Sequence, residues 1–154
     1  MLRYFAYGSN MSTALMGRRC PGAQPVGPAR LDGYRFIVMG GGYASVVPAP
    51  GGTVHGVLWR VTPRDLAALN AFEAIDSGLY VRRVVSVRFG SGRNPALTYV
   101  SPRCLEGRPR PGYQAFVVAS ARAWNLPPAY VRSLERWAPA GFAGTWGLGS
   151  GEPG

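Results

Sequence analysis

Lysine is missing altogether: the 17 basic residues are all arginine, against seven acidic residues, for a formal charge of +10 over 154 residues. A complete absence of lysine is the mark of a coding bias toward arginine, alanine, glycine and proline, so the charge alone does not imply a nucleic-acid partner. The arginines are scattered, approaching patches only at Arg18-Arg19, Arg82-Arg83 and Arg108 with Arg110, and no nucleic-acid-binding motif accompanies them. A modest attraction for small anionic substrates is the expectation. Metal ligands are equally scarce. His55 is the single histidine, and Cys20 and Cys104 form no Cys-x-x-Cys pair, which excludes the usual zinc spacings; no metal or cofactor is expected. The chain shows no secretory signal, so free thiols in a cytoplasmic protein are expected, with a single disulfide as the alternative. No apolar run approaches the ~20 residues of a membrane span, and no membrane partner is expected.

What is present is enough for one domain with a real core. Residues 1–137 read as that domain. The glycine-rich tail 138–154 reads as mobile.

The most informative stretch runs from Tyr4 to Met11, Tyr-Phe-Ala-Tyr-Gly-Ser-Asn-Met. Leu2 to Ala6 is apolar and aromatic enough for a buried strand, and Gly8-Ser9-Asn10 tolerate tight backbone. Met11 to Arg19 resumes at near-helical spacing, with Asn10 or Ser12 as the cap. The first amides of a helix lack internal partners, so a strand–turn–helix of this kind is either an anion site or simply a well-capped turn. It is not a P-loop, because no Gly-Lys-Ser/Thr follows.

Further along, residues 21–28 are rich in proline and glycine and read as a connector. Strands are expected over 29–31, 34–39, 43–47 and 53–61, with Gly40-Gly41-Gly42 as a turn or a place of close ligand approach. Thr62, Pro63 and Asp65 form a capping-box start for a helix running to about Ala74. Leu66, Leu69 and Glu73 fall on one stripe of that helix. A carboxylate there is either buried for a reason, or faces water or pairs with Arg82 or Arg83. Strands over 79–89 and 96–100 make an antiparallel pair, on which Tyr99 is core filler or a hydroxyl aimed into a cavity. Helices follow over 113–124 and from about Pro127, the latter presenting Tyr130, Leu134 and Trp137.

Three segments in this order, Tyr4 to Met11, Leu69-Asn70-Ala71-Phe72-Glu73 with Ser77-Gly78-Leu79-Tyr80, and Asn125-Leu126-Pro127-Pro128-Ala129-Tyr130, carry a resemblance. The chain resembles the γ-glutamylcyclotransferase (AIG2-like) family over roughly residues 4–137. The resemblance implies an α+β fold, a small mixed or antiparallel β-barrel flanked by helices, with the substrate cavity beside the first strand–turn–helix. It implies that Tyr7, Gly8, Ser9 and Asn10 hold the α-amino-acid head of a small γ-glutamyl substrate, that Glu73 is the catalytic acid and base, and that Tyr99 lines the site. The family often has glycine after the glutamate, where this chain has Ala74.

The implied reaction is intramolecular. The α-amine of a γ-glutamyl group attacks its own γ-carbonyl, releasing 5-oxoproline and an amine or amino acid, with no cofactor. The base must deprotonate an ammonium of pKa about 8, and an ordinary glutamate at ~4.3 is made more suitable by burial. Ser9 as a hydrolytic nucleophile lacks an evident His–acid pair, since His55 sits in a strand pattern. The alternative from another class is a non-catalytic module that binds an amino-acid-like ligand in the same cavity.

Overall fold

The computed structural model describes residues 2–74, 78–103 and 105–138. Five strands, β1 (Leu2–Ala6), β2 (Gln24–Val38), β3 (Ala44–Val61), β4 (Val81–Phe89) and β5 (Gly92–Val100), close into a barrel in the order β1-β3-β2-β4-β5. Among the described residues four α-helices accompany it: α1 (Thr13–Arg19), α2 (Pro63–Phe72), α3 (Tyr113–Ala123) and α4 (Pro128–Glu135). This is the α+β architecture expected from the sequence. The barrel is mixed, since β1 runs antiparallel to β3 and parallel to β5, while β2/β3 and β4/β5 are antiparallel hairpins. Among the described residues no helix is long and apolar enough to cross a membrane.

The parallel closure has one Cα pair, Tyr4↔Leu97, and side chains reinforce it. The buried Thr98 hydroxyl donates to the Phe5 carbonyl at 2.8 Å, and the Tyr7 hydroxyl donates to the Tyr99 carbonyl. Opposite, β1 crosses β3 at Gly56, where a Cβ would lie 2.8 Å from the Phe5 ring and closer still to the Ala6 carbonyl oxygen. Only glycine permits that approach, and it sets the direction in which β1 ends.

Several sequence expectations need correction. The strands expected over 29–31 and 34–39 are one strand, β2, and those over 43–47 and 53–61 are one strand, β3. They are continuous because the β2/β3 ladder runs through both breaks, with a register shift between Asp32 and Tyr34. Residues 21–28 are not all connector, because β2 begins at Gln24 and passes through Pro25 and Pro28, paired with Trp59 and Val57 of β3. Pairing with β4 is confined to Arg30↔Arg88, so this stretch has one open side on which a missing proline donor goes uncalled. The first helix is also shorter than its periodicity suggested. Ser9–Met11 form a separate 3-10 turn, and extended Ser12 (ψ 123°) interrupts before capping α1 by accepting from the Leu15 amide at 3.2 Å.

Other elements match their local chemistry. The capping box of α2 is complete, Thr62 Oγ1 accepting from the Asp65 amide at 3.1 Å and Asp65 Oδ2 from the Thr62 amide at 3.0 Å. The triple glycine is a turn closed by Gly42 N–H on the Met39 carbonyl. Helices α3 and α4 pack together through the buried Gln114, whose side-chain amide donates to the Leu134 carbonyl at 2.9 Å. The carboxy-terminal tail expected to be mobile lies, beyond residue 138, outside the described residues.

Cys20 caps α1 as a buried free thiol that donates weakly to the Asp65 carbonyl; Cys104 lies outside the described residues. Burial, then the Asp65 charge, push the Cys20 thiol up to about 12. In a Cys104→Ser variant at pH 8, Cys20 is therefore expected to ignore a disulfide reagent until guanidinium unfolds the protein. Rapid labelling of the native variant would contradict this environment.

Candidate active site

The end of β1 delivers Tyr7, and the chain then tightens into the 3-10 turn, held by Met11 N–H on the Gly8 carbonyl (3.1 Å) and Ser12 N–H on the Ser9 carbonyl (3.0 Å). Those bonds use the amides of Met11 and Ser12, so the amides of Gly8, Ser9 and Asn10 precede the turn's own ladder. Ser9, Asn10 and Met11 are buried. The Trp124 indole N–H at the end of α3 donates to the Met11 carbonyl at 2.7 Å, fixing the far side of the turn.

Glu73 is the C-cap of α2 and only 1% exposed. Its stripe partner Leu69 is buried too, so the carboxylate does turn inward instead of meeting Arg82, which is exposed and donates to Asn70 Oδ1 at 3.4 Å. Five tyrosines feel its charge: Tyr4, Tyr7, Tyr80, Tyr99 and Tyr113. In each, burial is the largest cause holding the phenol above its ordinary range, and the Glu73 charge adds to it. These hydroxyls therefore remain protonated donors at neutral pH.

Their positions are set by backbone groups and by one amide side chain. Tyr80 donates to the Ala44 carbonyl at 2.6 Å while Tyr113 accepts from the Ala44 amide at 3.1 Å, so the first residue of β3 holds both rings. Tyr99 donates to Asn70 Oδ1 on α2 at 2.6 Å and packs edge-on against Tyr4, ring centres 5.8 Å apart. Asn10 is engaged on both sides, its amide donating to Tyr4 Oη at 3.0 Å and its carbonyl accepting from Arg19 Nη1 at 3.0 Å. Arg19 is 6% exposed, with its guanidinium 4.5 Å over the ring of Phe72, the residue before Glu73.

Of the residues singled out in the sequence, Tyr7, Asn10 and Tyr99 thus come together with Glu73, with Asn10 joined to Arg19 and Tyr4. Ser9 is buried in the turn, and its hydroxyl has no hydrogen-bond partner among the described residues. Gly8 starts the turn. His55, on β3, lies elsewhere, against Tyr130 of α4, where the charges acting on it are Arg30 and Asp32. It does not face Ser9's turn as a catalytic base would. A cleft of about 460 Å³ opens between Met39, Gly41, Leu79, Ser101 and Arg103. The Ser101 amide on its wall donates to Ser45 Oγ at 2.9 Å, and Ser45 hydrogen-bonds Tyr7.

The family model for gamma-glutamyl cyclotransferase, AIG2-like proteins matches residues 4–122. The chain belongs to that family. The gamma-glutamylcyclotransferase of Homo sapiens is 29% identical over 154 residues, spanning 92% of this chain and 81% of the relative. The family protein YtfP of Escherichia coli K12 is 32% identical over 106 residues, spanning 69% of this chain and 88% of that protein. A solved gamma-glutamyl cyclotransferase superposes with a TM-score of 0.85 at 27% identity, covering 94% of this chain and 92% of the other. YkqA of Bacillus subtilis superposes at 0.77 with 28% identity, covering 93% of this chain and 56% of that one.

Sequence reasoning passed over Tyr4, Arg19, Asn70, Tyr80 and Tyr113 as members of the Glu73 surround. Arg19 had a readable signal. It follows Leu15 by four and Met16 by three, which puts a cation on the apolar stripe of α1 as Glu73 lies on that of α2. Ala74, the departure from the family pattern, sits at φ 50°, the left-handed region where glycine is at ease.

Two outcomes follow from this geometry. Replacing Ala74 by glycine is expected to raise stability by up to ~1 kcal/mol, or about 2–4 °C in melting temperature, unless the alanine is unstrained, in which case thermal melts will show no gain. Six of the eight tyrosines (4, 7, 80, 99, 113 and 130) have raised values in the folded protein. Their contribution to stability is present below the unfolded value of about 10 and is lost as pH climbs toward the folded values. Absorbance at 295 nm should show these six ionising together with the loss of circular dichroism; ionisation within an intact fold would refute the burial.

Proposed function

We propose that this chain is a γ-glutamyl cyclotransferase, converting a γ-glutamyl amide into 5-oxoproline and a free amine or amino acid, with Glu73 as general base and then general acid. The observation that carries the proposal is a single buried carboxylate at the end of α2, surrounded by five protonated tyrosines and adjoining the Tyr7-to-Asn10 turn. Glu73 takes a proton from the α-ammonium, and the freed nitrogen attacks the γ-carbonyl carbon. The C–N bond to the leaving group breaks as Glu73 returns that proton to the departing nitrogen. A second ammonium proton also ends there, so the lactam keeps one N–H and the amine leaves as an ammonium. No bond to the enzyme forms, and Ser9 is not required as a nucleophile.

In this reading the turn formed by Gly8, Ser9 and Asn10, with Tyr7, holds the α-carboxylate and the folded glutamyl chain, while the Ser9 amide is engaged by Tyr113. Orientation of this kind contributes up to ~7–11 kcal/mol in favourable intramolecular systems. Tyr99 supports the site through Asn70 and Tyr4. Neutral phenols offer donors for the tetrahedral oxyanion, and the cleft past Leu79 and Ser101 is an exit for the amine. Residues 1–137 form the catalytic unit of a cytoplasmic enzyme, a compartment with which the free Cys20 is in keeping. Ala74 already holds the backbone that glycine would, which favours an active enzyme over a binding module built on the same cavity.

A panel of γ-glutamyl dipeptides, γ-glutamyl amines and glutathione is expected to yield 5-oxoproline by chromatography. Glu73→Gln should lower kcat/KM by a factor of about 10²–10⁴ with circular dichroism unchanged. A wild-type protein that releases no product from any of them, or a Glu73→Gln variant that turns over normally, overturns the assignment.

A further inference from the structure

Among the described residues, Arg19 is the one buried cation, and Glu73 and Asp65 are the buried carboxylates. Asp65 is committed elsewhere, its oxygens accepting from the amides of Thr62 and Gly22. Arg19 approaches α2 at its last turn, over Phe72, and is held from behind by Asn10 of the substrate-binding turn, which also grips Tyr4. We propose that Arg19 is a positioning residue that keeps Glu73 ionised inside the protein, and that Asn10 couples this charge to the turn that receives the substrate. The inference rests on the cyclotransferase reading for its kinetic consequence, though not for the electrostatics.

The physics gives the direction. Burial alone drives a carboxyl toward its protonated form, and a protonated Glu73 cannot accept the ammonium proton. Among the described residues, the groups whose ionisation Glu73's charge influences are Tyr4 and Tyr7 from β1, Arg19 from α1, Tyr80 ahead of β4, Tyr99 from β5 and Tyr113 from α3. The five phenols are neutral across the working range and Arg19 is charged throughout it. Burial tends to lower the guanidinium's hold on its proton, and Glu73 is the largest of the charges that oppose this. Among the described residues, Arg19 is therefore the buried group whose full charge favours the carboxylate. Removing Arg19 takes that favourable charge away, and a buried carboxyl that loses it moves toward its neutral form.

The test compares wild type, Arg19→Met and Arg19→Lys. In Arg19→Met the acid limb of the kcat/KM profile should move to higher pH by about one unit or more, with activity partly recovered at alkaline pH, and Arg19→Lys should fall between. An acid limb that stays in place while activity drops equally at every pH overturns the proposal and leaves Arg19 a structural residue. Independently of turnover, the side-chain carboxyl of Glu73 can be titrated by carbon-13 NMR, since the chain has four glutamates (73, 106, 135 and 152) and Glu73→Gln assigns the signal. The same upward displacement is expected in Arg19→Met, or in Arg19→Lys should the methionine variant not fold; coincident titration curves refute it. If wild type is inactive yet the carboxyl moves as expected, the cyclotransferase reading fails while the electrostatic assignment stands.

Discussion

A carboxylate withdrawn from water carries a desolvation penalty of several kcal/mol unless neighbouring charge and hydrogen bonds replace what water supplied. Glu73 is in that position, and much of the molecule is arranged about it. Helix α2 is stopped at Phe72 so that Glu73 can turn inward, and Ala74 adopts left-handed backbone to let the chain leave. Arg19, an expensive residue to bury in its own right, is inside as well, over Phe72 and held by Asn10. Tyrosine suits the rest of the surround because it is large enough to exclude water while keeping one polar end for the backbone of Ala44 and Tyr99.

A closed barrel brings these groups together from distant parts of the chain. The parallel contact between β1 and β5 has one Cα pair, as the β2–β4 contact has, and it is the seam along which Thr98 and Tyr7 add side-chain bonds. The position that completes the architecture is thus also the one that aims the Tyr7-to-Asn10 turn. Glycine at 56 allows β1 to lie close enough to β3 for this to happen.

Much of this was legible from residue order. The capping box at Thr62 and Asp65, the β4/β5 hairpin and the place of Glu73 on the Leu66 and Leu69 stripe follow from local chemistry, which is what sequence patterns record, whereas the burial of that carboxylate is shown by the fold. The start of β2 was not legible, because Pro25 and Pro28 punctuate a chain unless the open side of a strand tolerates them. Tyr80 and Tyr113 were also missed. Tyr80 was visible only as part of a family segment and Tyr113 only as the start of a helix, and the shared grip of Ala44 shows them as a pair. Asn10 was visible as part of a turn, while its side-chain commitment to Tyr4 and Arg19 depends on how α1 folds back.

The reinforcing bonds of the first turn reach far along the chain. Tyr7 is tied to Tyr99 and Met11 to Trp124, partners 92 and 113 residues away. During synthesis the turn emerges from the ribosome well before either partner, and it cannot take its final form until β5 and α3 have followed. The centre of the molecule's chemistry is therefore laid down early and finished late, with the nascent chain carrying an unfinished apolar strand and a buried-carboxylate helix in the interval.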